Sequence, residues 1–230
     1  MNDTLIKLLV CFIAGAGAGI GTGFAGMSAA VVISPMLITF LGTDAYEAVG
    51  IALASDVLAS AISAWVYHKH GNLDIKDGVV MLITVLIFTL VGSFVSSIVP
   101  ETTMGSFSLM MTIFLGIKFL LKPTMTSKEE RHLKPKKQRI IRSVICGCYV
   151  GFVCGFIGAG GGLMILFVLT SILGYDLKTA VGTSVFIMSF TALTGAGSHF
   201  LLGGLTDIES LIYCIIFTFL WARIAARYAK

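Results

Sequence analysis

The stretch Gly155-Phe-Ile-Gly-Ala-Gly-Gly-Gly162 lies in the middle of an apolar run, and it decides how the chain must fold. The run extends from Ile140 to Leu173. As one straight helix it would reach roughly 50 Å, whereas the hydrocarbon core of a bilayer is about 30 Å thick. Glycine disfavours helix more than any residue except proline. We therefore predict two shorter helices joined by a break inside a membrane.

The same pattern occurs earlier in the chain. A shift of 132 residues aligns residues 15–73 with residues 147–205 without a gap. The first copy of the glycine-rich stretch is Gly19-Ile-Gly-Thr-Gly-Phe-Ala-Gly26, inside the apolar run 5–41. Two related hydrophobic halves, each interrupted by glycines at the same place, indicate a secondary transporter with a binding site between the halves. The identical pairs include Gly15/Gly147, Gly19/Gly151, Gly23/Gly155, Gly26/Gly158, Gly42/Gly174, Asp44/Asp176 and Gly50/Gly182.

The composition is that of an integral membrane protein. Hydrophobic residues make up 57% of the chain and charged residues only 12%, with a mean hydropathy of +0.96. Charged residues are about a quarter of an ordinary soluble domain. We expect an all-α bundle of two repeats, most simply inverted repeats that each open with a glycine-broken re-entrant helix pair. The remaining apolar segments are 46–67, 79–99, 104–121, 177–202 and 208–226.

The basic residues predict the orientation. Nine of the sixteen Lys and Arg residues lie between Lys118 and Arg142, which indicates a cytoplasmic loop of a multi-pass protein rather than a nucleic-acid surface. A fold-back at 158–162 then places the basic C-terminus on the same side, whereas a straight crossing would place it outside. We expect three full crossings and one re-entrant pair per repeat, in the cell membrane, with loop 123–138 and the C-terminus cytoplasmic.

The duplication also divides the chain. Residues 1–122 form the first transmembrane repeat, 123–138 the basic loop and 139–230 the second repeat. Under the same shift Lys230 aligns with Ile98, so the second repeat lacks a counterpart of the helix at 104–121. Either the sequence is truncated, or it completes its bundle by forming a homo-oligomer.

No metal or other cofactor is expected. The motif Gly21-x-Gly23-x-x-Gly26 matches the dinucleotide fingerprint, but no strand precedes it. The cysteines all lie in apolar segments, where thiols serve mainly as packing residues. A copper(I) site at Cys146 and Cys148 with Cys154 is the alternative, but no His or Met completes its ligands. The five cysteines are Cys11, Cys146, Cys148, Cys154 and Cys214.

The breaks carry a chemical expectation. A helix that restarts inside a membrane presents unpaired N–H groups and the positive end of its dipole, and both attract an anion. No Lys or Arg lies deep in any span. Backbone groups and hydroxyls would therefore have to bind the anion. The alternative is that these glycines only allow close helix packing and that the hydroxyls bond their own backbone. The candidate substrate-binding residues are Gly26, Met27, Ser28, Gly158, Gly160, Gly161, Gly162, Thr183 and Ser184.

Asp56 is the ionisable residue deepest in a predicted span. A carboxylate at this depth costs several kcal/mol unless it is paired or protonated. We hypothesise that Asp56 carries a coupling proton or binds a cation, the alternative being a neutral acid bonded to a neighbouring helix. His199, near a helix end, could relay protons or could simply be solvated.

These residues resemble the TauE/SafE family of sulfite exporters and related sulfur-anion transporters. The likeness spans both halves, and its most specific parts are Gly155 to Gly162, Gly174 and Ala180-Val-Gly-Thr-Ser184. The resemblance implies transport of sulfite, sulfonates or other small oxyanions in an all-helical fold. The first repeat departs from the pattern at Met27-Ser-Ala-Ala30, and the second has Phe167 where the first has Pro35.

The leading hypothesis is therefore a transporter of a small anion such as sulfite or an organosulfonate, with alternating access of one repeat against the other and the lipid bilayer as its surroundings. Two alternatives belong to other classes. One is an intramembrane hydrolase that uses Ser184 and His199, although fifteen residues on one helix separate these by roughly 22 Å. The other is a non-transporting membrane subunit that depends on a partner.

Overall fold

The computed structural model describes residues 3–96, 117, 136–157, 161–203 and 206–229, and all regular structure in these residues is helical. The predicted all-α fold is thereby confirmed. The predicted helix at 104–121 and most of the loop 123–138 lie outside the described residues. The described helices are α1 Asp3–Ala25, α2 Ala30–Leu41, α3 Ala45–Lys69, α4 Ile75–Ser96, α5 Lys136–Ile157, α6 Gly161–Phe167, α7 Leu177–Gly203 and α8 Ile208–Ala229, with a π-helical turn Val168–Ile172 that continues α6.

Four of these helices are long and apolar enough to cross a membrane. They are Thr4–Ala25 in α1, Ala45–Lys69 in α3, Leu177–Ser198 in α7 and Ile208–Ala229 in α8. The lipid-facing side of α8 can be read directly, because its exposed large apolar side chains recur every four residues. These side chains are Ile208, Ile212, Ile216, Leu220 and Ile224.

The first break folds the chain back on itself. Helix α1 ends because Gly26 adopts a φ of +61°, and the amide of Met27 then bonds the carbonyl of Gly21 at 3.2 Å. Helix α2 returns beside α1, with Val32 against Gly17. The break begins at Gly26, and α1 continues unbroken through Gly19 and Gly23.

Those earlier glycines pack helices instead. On α1, any side chain at Gly15, Gly19 or Gly23 would collide with α8. On α5, a side chain at Gly151 would collide with α4 in the same way, and one at Gly147 would make a tight contact with Thr84 of α4. The glycines recur every fourth residue, the small-residue spacing that lets two helices approach closely.

The helix pairs α1–α8 and α5–α4 are equivalent under the 132-residue shift, which relates α1 to α5 and α4 to α8. Each repeat therefore packs its first helix against the last described helix of the other repeat. Helices α3 and α7 are also equivalent, and they pack antiparallel, with Leu53 beside Gly195 and Tyr67 beside Gly182. This pairing supports the inverted-repeat prediction.

The same type of turn leads into α3 and into α7. Gly42 and Gly174 both adopt left-handed conformations, with φ of +65° and +73°. Two residues later, Asp44 accepts the amide of Tyr46 at the start of α3, and Asp176 accepts the amide of Thr179 at the start of α7. Such capping satisfies donors that a helix start leaves free.

Polar contacts tie the helices at both ends of the bundle. At the end that we call the acidic end, Lys7 pairs with Asp207 at 3.0 Å, and Glu47 accepts the amides of Thr206 and Asp207 at 2.6 and 2.7 Å. At the opposite end, which we call the basic end because Lys69 lies there, the hydroxyl of Tyr67 donates to the carbonyl of Gly23 at 2.9 Å.

We expect Gly19→Ala to destabilise the protein by about 1–3 kcal/mol, because the added methyl group would meet the α8 backbone at Thr218 and Ala222. The matched control is Gly197→Ala in α7, where nothing lies within 4 Å of the added atom. The control should be neutral or stabilising by about 0.5–1 kcal/mol. Thermal unfolding in mild detergent measures both; equal effects would contradict the packing role of Gly19.

We also expect Asp207→Asn to weaken the acidic end in a pH-dependent way. Burial opposes ionisation of Asp207, but hydrogen bonds from Ser210 and the ion pair with Lys7 outweigh it and hold the pKa of Asp207 below its ordinary value. The stabilisation is therefore present above the unfolded-state pKa of about 3.9 and is lost as the pH falls through the lower folded-state pKa.

Because Asn retains the capping ability of Asp, the substitution isolates the charge. At pH 7 the variant should be less stable by on the order of 0.5–1 kcal/mol. The difference in melting temperature between wild type and variant should shrink as the pH is lowered below about 4. A difference that stays constant with pH would show that the charge contributes nothing.

Candidate functional site

The two breaks meet inside the bundle. Gly162, at the start of α6, lies directly against the carbonyl of Gly26, the amide of Ser28 and the sulfur of Met188. A single methyl group at Gly162 would have no room. The first and second interruptions of the helices are thus in contact, as expected for one site formed between two halves.

Asp56 lies beside this meeting point, near the middle of α3, and is completely buried. Its Oδ2 accepts the hydroxyl of Ser28 at 2.7 Å, and its Oδ1 accepts the hydroxyl of Ser60 at 2.9 Å. The backbone N–H of Ala29 is a further donor. The partners of the carboxyl group therefore come from the first break and from the next turn of its own helix.

This arrangement places the protein's own carboxyl group at the N-terminus of α2. Ser28 and Ala29 immediately precede α2, where amide donors are unpaired and the helix dipole is positive. The groups that act on Asp56 are all uncharged. Hence Asp56 occupies the position at the first break where an anion was predicted to bind.

Ser184 belongs to the same cluster. Its hydroxyl lies against Gly26 and donates to the carbonyl of Val181 in its own helix at 2.9 Å. Thr183 does not face the breaks: its hydroxyl oxygen accepts the amide of Asp74 at 3.2 Å, in the turn between α3 and α4. Of the two predicted hydroxyls on α7, the structure brings only that of Ser184 to the meeting point.

Of the other predicted residues, some lie next to the meeting point and others do not. Gly161 abuts the thiol of Cys154 on α5, next to the meeting point. The side chain of Met27 packs back against Gly21, while its carbonyl accepts the hydroxyl of Thr22 at 2.8 Å. Two further predicted residues, Gly158 and Gly160, lie outside the described part of the chain.

The two halves of the site differ in polarity. The 132-residue shift places Met188 at the position of Asp56 and Ala192 at that of Ser60. The sulfur of Met188 faces Gly162 at the start of α6, as Asp56 faces the start of α2. The start of α6 therefore has a neutral side chain where the start of α2 has a carboxyl group.

The alternative chemistries find no support in the described residues. Helix α7 runs unbroken from Leu177 to Gly203, so the bend that a Ser184–His199 pair would need is not there. No group of three or more His, Cys, Asp or Glu residues in the described ranges is placed to hold a metal ion. Buried Cys11 and Cys214 belong to one apolar cluster, as expected for packing thiols.

The link between Ser28 and Asp56 joins residues 28 positions apart, so no local sequence pattern predicts it. Ser60 was also missed. A signal for Ser60 was available, because a hydroxyl four residues after a buried carboxylate lies on the same helix face.

We expect Ser28→Ala to lower stability by about 1–3 kcal/mol, because it removes a donor from a buried carboxyl group. Ser55→Ala is the matched control: Ser55 is also fully buried in α3, but its hydroxyl bonds only the carbonyl of Ile51 in its own helix. Thermal unfolding of the two variants should separate them. Indistinguishable melting temperatures would mean that Ser28 does not support Asp56.

Comparison with known proteins gives a consistent result. Residues 11–230 match the family model described as "Sulfite exporter TauE/SafE". The chain is 22% identical over 226 residues to the probable membrane transporter protein YdhB of Bacillus subtilis, covering 98% of this chain and 90% of that protein.

Two further relatives come from distant organisms. A probable membrane transporter protein of Haemophilus influenzae is 28% identical, with 85% of this chain and 75% of that protein covered. The probable membrane transporter protein MJ0441 of Methanocaldococcus jannaschii is 26% identical, with coverages of 86% and 74%. No solved structure matches the chain significantly.

Proposed function

Because the chain belongs to the sulfite exporter family TauE/SafE, we propose that it moves a small, singly charged sulfur oxyanion across the cell membrane. The chain is a multi-pass membrane transporter and not an enzyme, in keeping with its family and its relatives. The proposed substrates are the singly charged form of sulfite and organosulfonates.

The observation that carries the proposal is the contact of the two breaks at Gly162, Gly26 and Ser28. Here the start of α6 faces the neutral side chain of Met188. Backbone donors at such a helix start would bind the oxygens of an anion. Ser184, beside Gly26, would add a hydroxyl donor if it turned from its own backbone.

The charge of the site supports a singly charged substrate. None of the groups that act on Asp56 is a cation, and no Lys or Arg side chain is buried among the described residues. The desolvation cost of an ion rises with the square of its charge, so a doubly charged anion such as sulfate would need fixed cations that this site does not offer. A sulfonate presents the same oxygens with one charge less.

Transport would proceed by alternating access, with the basic end at the cytoplasm. Exposed Lys69 and Arg223 lie at the basic end, as the preference of basic residues for the cytoplasmic side requires. The polar ties at the acidic and basic ends would have to open in turn. Asp56, which sits where an anion would bind at the first break, would couple this cycle to protons.

The test is flux into vesicles that contain the purified chain. We expect radiolabelled sulfite and a sulfonate to enter at least about tenfold faster than sulfate, because of the charge penalty. Chloride is included to test for a nonselective anion leak. Equal flux of all four anions, or none, would reject the proposal.

Gly162→Ala should abolish selective flux, since the methyl group would force the breaks apart. Gly197→Ala, which adds a methyl group in open space on α7, should retain it. Asp56→Asn should retain exchange of anion for anion but lose its response to an imposed proton gradient. If Gly162→Ala folded and transported normally, the meeting point of the breaks would not be the site.

A further inference from the structure

One face of α3 carries a line of polar side chains. Asp56, Ser60, Ser63 and Tyr67 follow one another at intervals of four, three and four residues, so they lie along one side of the helix. The first three are completely inaccessible to solvent, and Tyr67 is 1% exposed. The line spans roughly 16 Å from the middle of α3 to the basic end.

The line runs beside the first break. At its inner end, Asp56 bonds Ser28 and Ser60. At its outer end, the hydroxyl of Tyr67 bonds the carbonyl of Gly23 in the last turn of α1. The segment from Gly23 to Ser28 therefore extends along the same stretch of α3 that the polar side chains occupy.

Ser63 differs from the other polar side chains of this line in its hydrogen bonding. Its hydroxyl is fully buried and has no hydrogen-bond partner in the part of the chain that the structure describes. Buried hydroxyls are normally paired, and a serine in a helix can pair with its own backbone, as Ser55 does. A water molecule that bridged Ser60 and Tyr67 would find a partner in the unpaired hydroxyl of Ser63, which lies between them on the helix.

Packing does not require these hydroxyls. Helix α7 is the counterpart of α3 in the second repeat and packs against it antiparallel. At the positions of Asp56, Ser60 and Ser63, α7 has apolar residues. They are Met188, Ala192 and Gly195.

We propose that Ser60, Ser63 and Tyr67 form a proton path between Asp56 and the basic end of the protein, a proposal that rests on the proposed transport function. His68, Lys69 and His70 follow Tyr67 directly and are exposed, so the path ends at the aqueous surface. The path gives Asp56 access to protons from one side of the membrane.

The transfer balances without any other reactant. A hydronium ion at the basic end gives up a proton and becomes water, and each hydroxyl or bridging water along the line accepts one proton and releases another. The last proton forms an O–H bond on a carboxylate oxygen of Asp56. Neutral Asp56 no longer holds the start of α2 as an anion does, so Ser28 becomes available to a substrate oxygen.

Among the described residues, no charged group acts on Asp56. Helices α1, α2, α7 and α8 all pack against α3, and the groups that act on its carboxyl are the uncharged Ser28, Ser60 and Ala29 amide. Helix α2 carries no titratable residue. The titratable residues whose side chains are described on the other three helices are Lys7 and Cys11 on α1, Lys178 on α7, and Glu209, Tyr213, Cys214, Arg223, Arg227 and Tyr228 on α8.

The experiment compares two fluxes of radiolabelled sulfite in vesicles that contain the full chain. Exchange of sulfite for sulfite needs no net proton movement, whereas uptake driven by a proton gradient does. Ser63→Ala should slow gradient-driven uptake at least about tenfold, because the bridging water loses its anchor. Exchange should stay close to the wild-type rate. Ser63→Thr, which restores a hydroxyl, should recover the driven uptake.

Ser55→Ala is the matched control and should leave both fluxes unchanged. Ser63→Ala should melt no lower than this control, because it loses no protein hydrogen bond. If Ser63→Ala behaves like Ser55→Ala in driven uptake, or loses both fluxes and melts lower, the path is wrong. Absence of sulfite exchange in the wild type would instead reject the transport function on which the path rests.

Discussion

The absence of water from the bilayer core is the constraint on which this structure depends. A helix broken there frees backbone groups that only the protein can satisfy. The first break meets this demand locally: Thr22 donates to the carbonyls of Ala18 and Met27, and Asp56 with Ser28 covers the start of α2. The groups that make the break tolerable are the same kind that would bind a polar substrate. The polar groups that stabilise the break would therefore also form the binding site.

The glycine contacts explain why the two repeats cannot act as separate domains. Gly19 brings α1 against α8, and Gly151 brings α5 against α4, so each repeat is completed by a helix of the other. The antiparallel contact of α3 with α7 then holds the two breaks face to face. Motion of one repeat against the other must rearrange these contacts or the polar ties at the helix ends. The acidic-end cluster around Asp207 is the most polar of these ties.

The sequence alone predicts the helical class, the fold-back at the first break and a site between the halves, because a duplicated glycine pattern carries that information within each repeat. The glycine cluster alone does not give the start of the first break, since Gly19 and Gly23 serve a partner helix about 200 residues away. Glycine content cannot separate a packing glycine from a breaking one. Thr183 was paired with Ser184 by adjacency, but neighbouring helix residues point about 100° apart, and Thr183 faces the turn at Asp74. Ser28 and Asp56 meet only through the fold-back.

The divergence of the two halves has an energetic consequence. Asp56 bonds the hydroxyl of Ser28 at the first break, whereas the sulfur of Met188 lies against Gly162 at the second. An ionised Asp56 and a bound anion would repel each other strongly in a medium of low dielectric constant and without a cation nearby. The anion and the proton should therefore favour each other, and thermodynamic linkage makes the effect equal in both directions. A second carboxylate in place of Met188 would extend the repulsion to the starts of both α2 and α6. With a single carboxylate, the start of α6 can bind the anion while Asp56 at the start of α2 binds the proton.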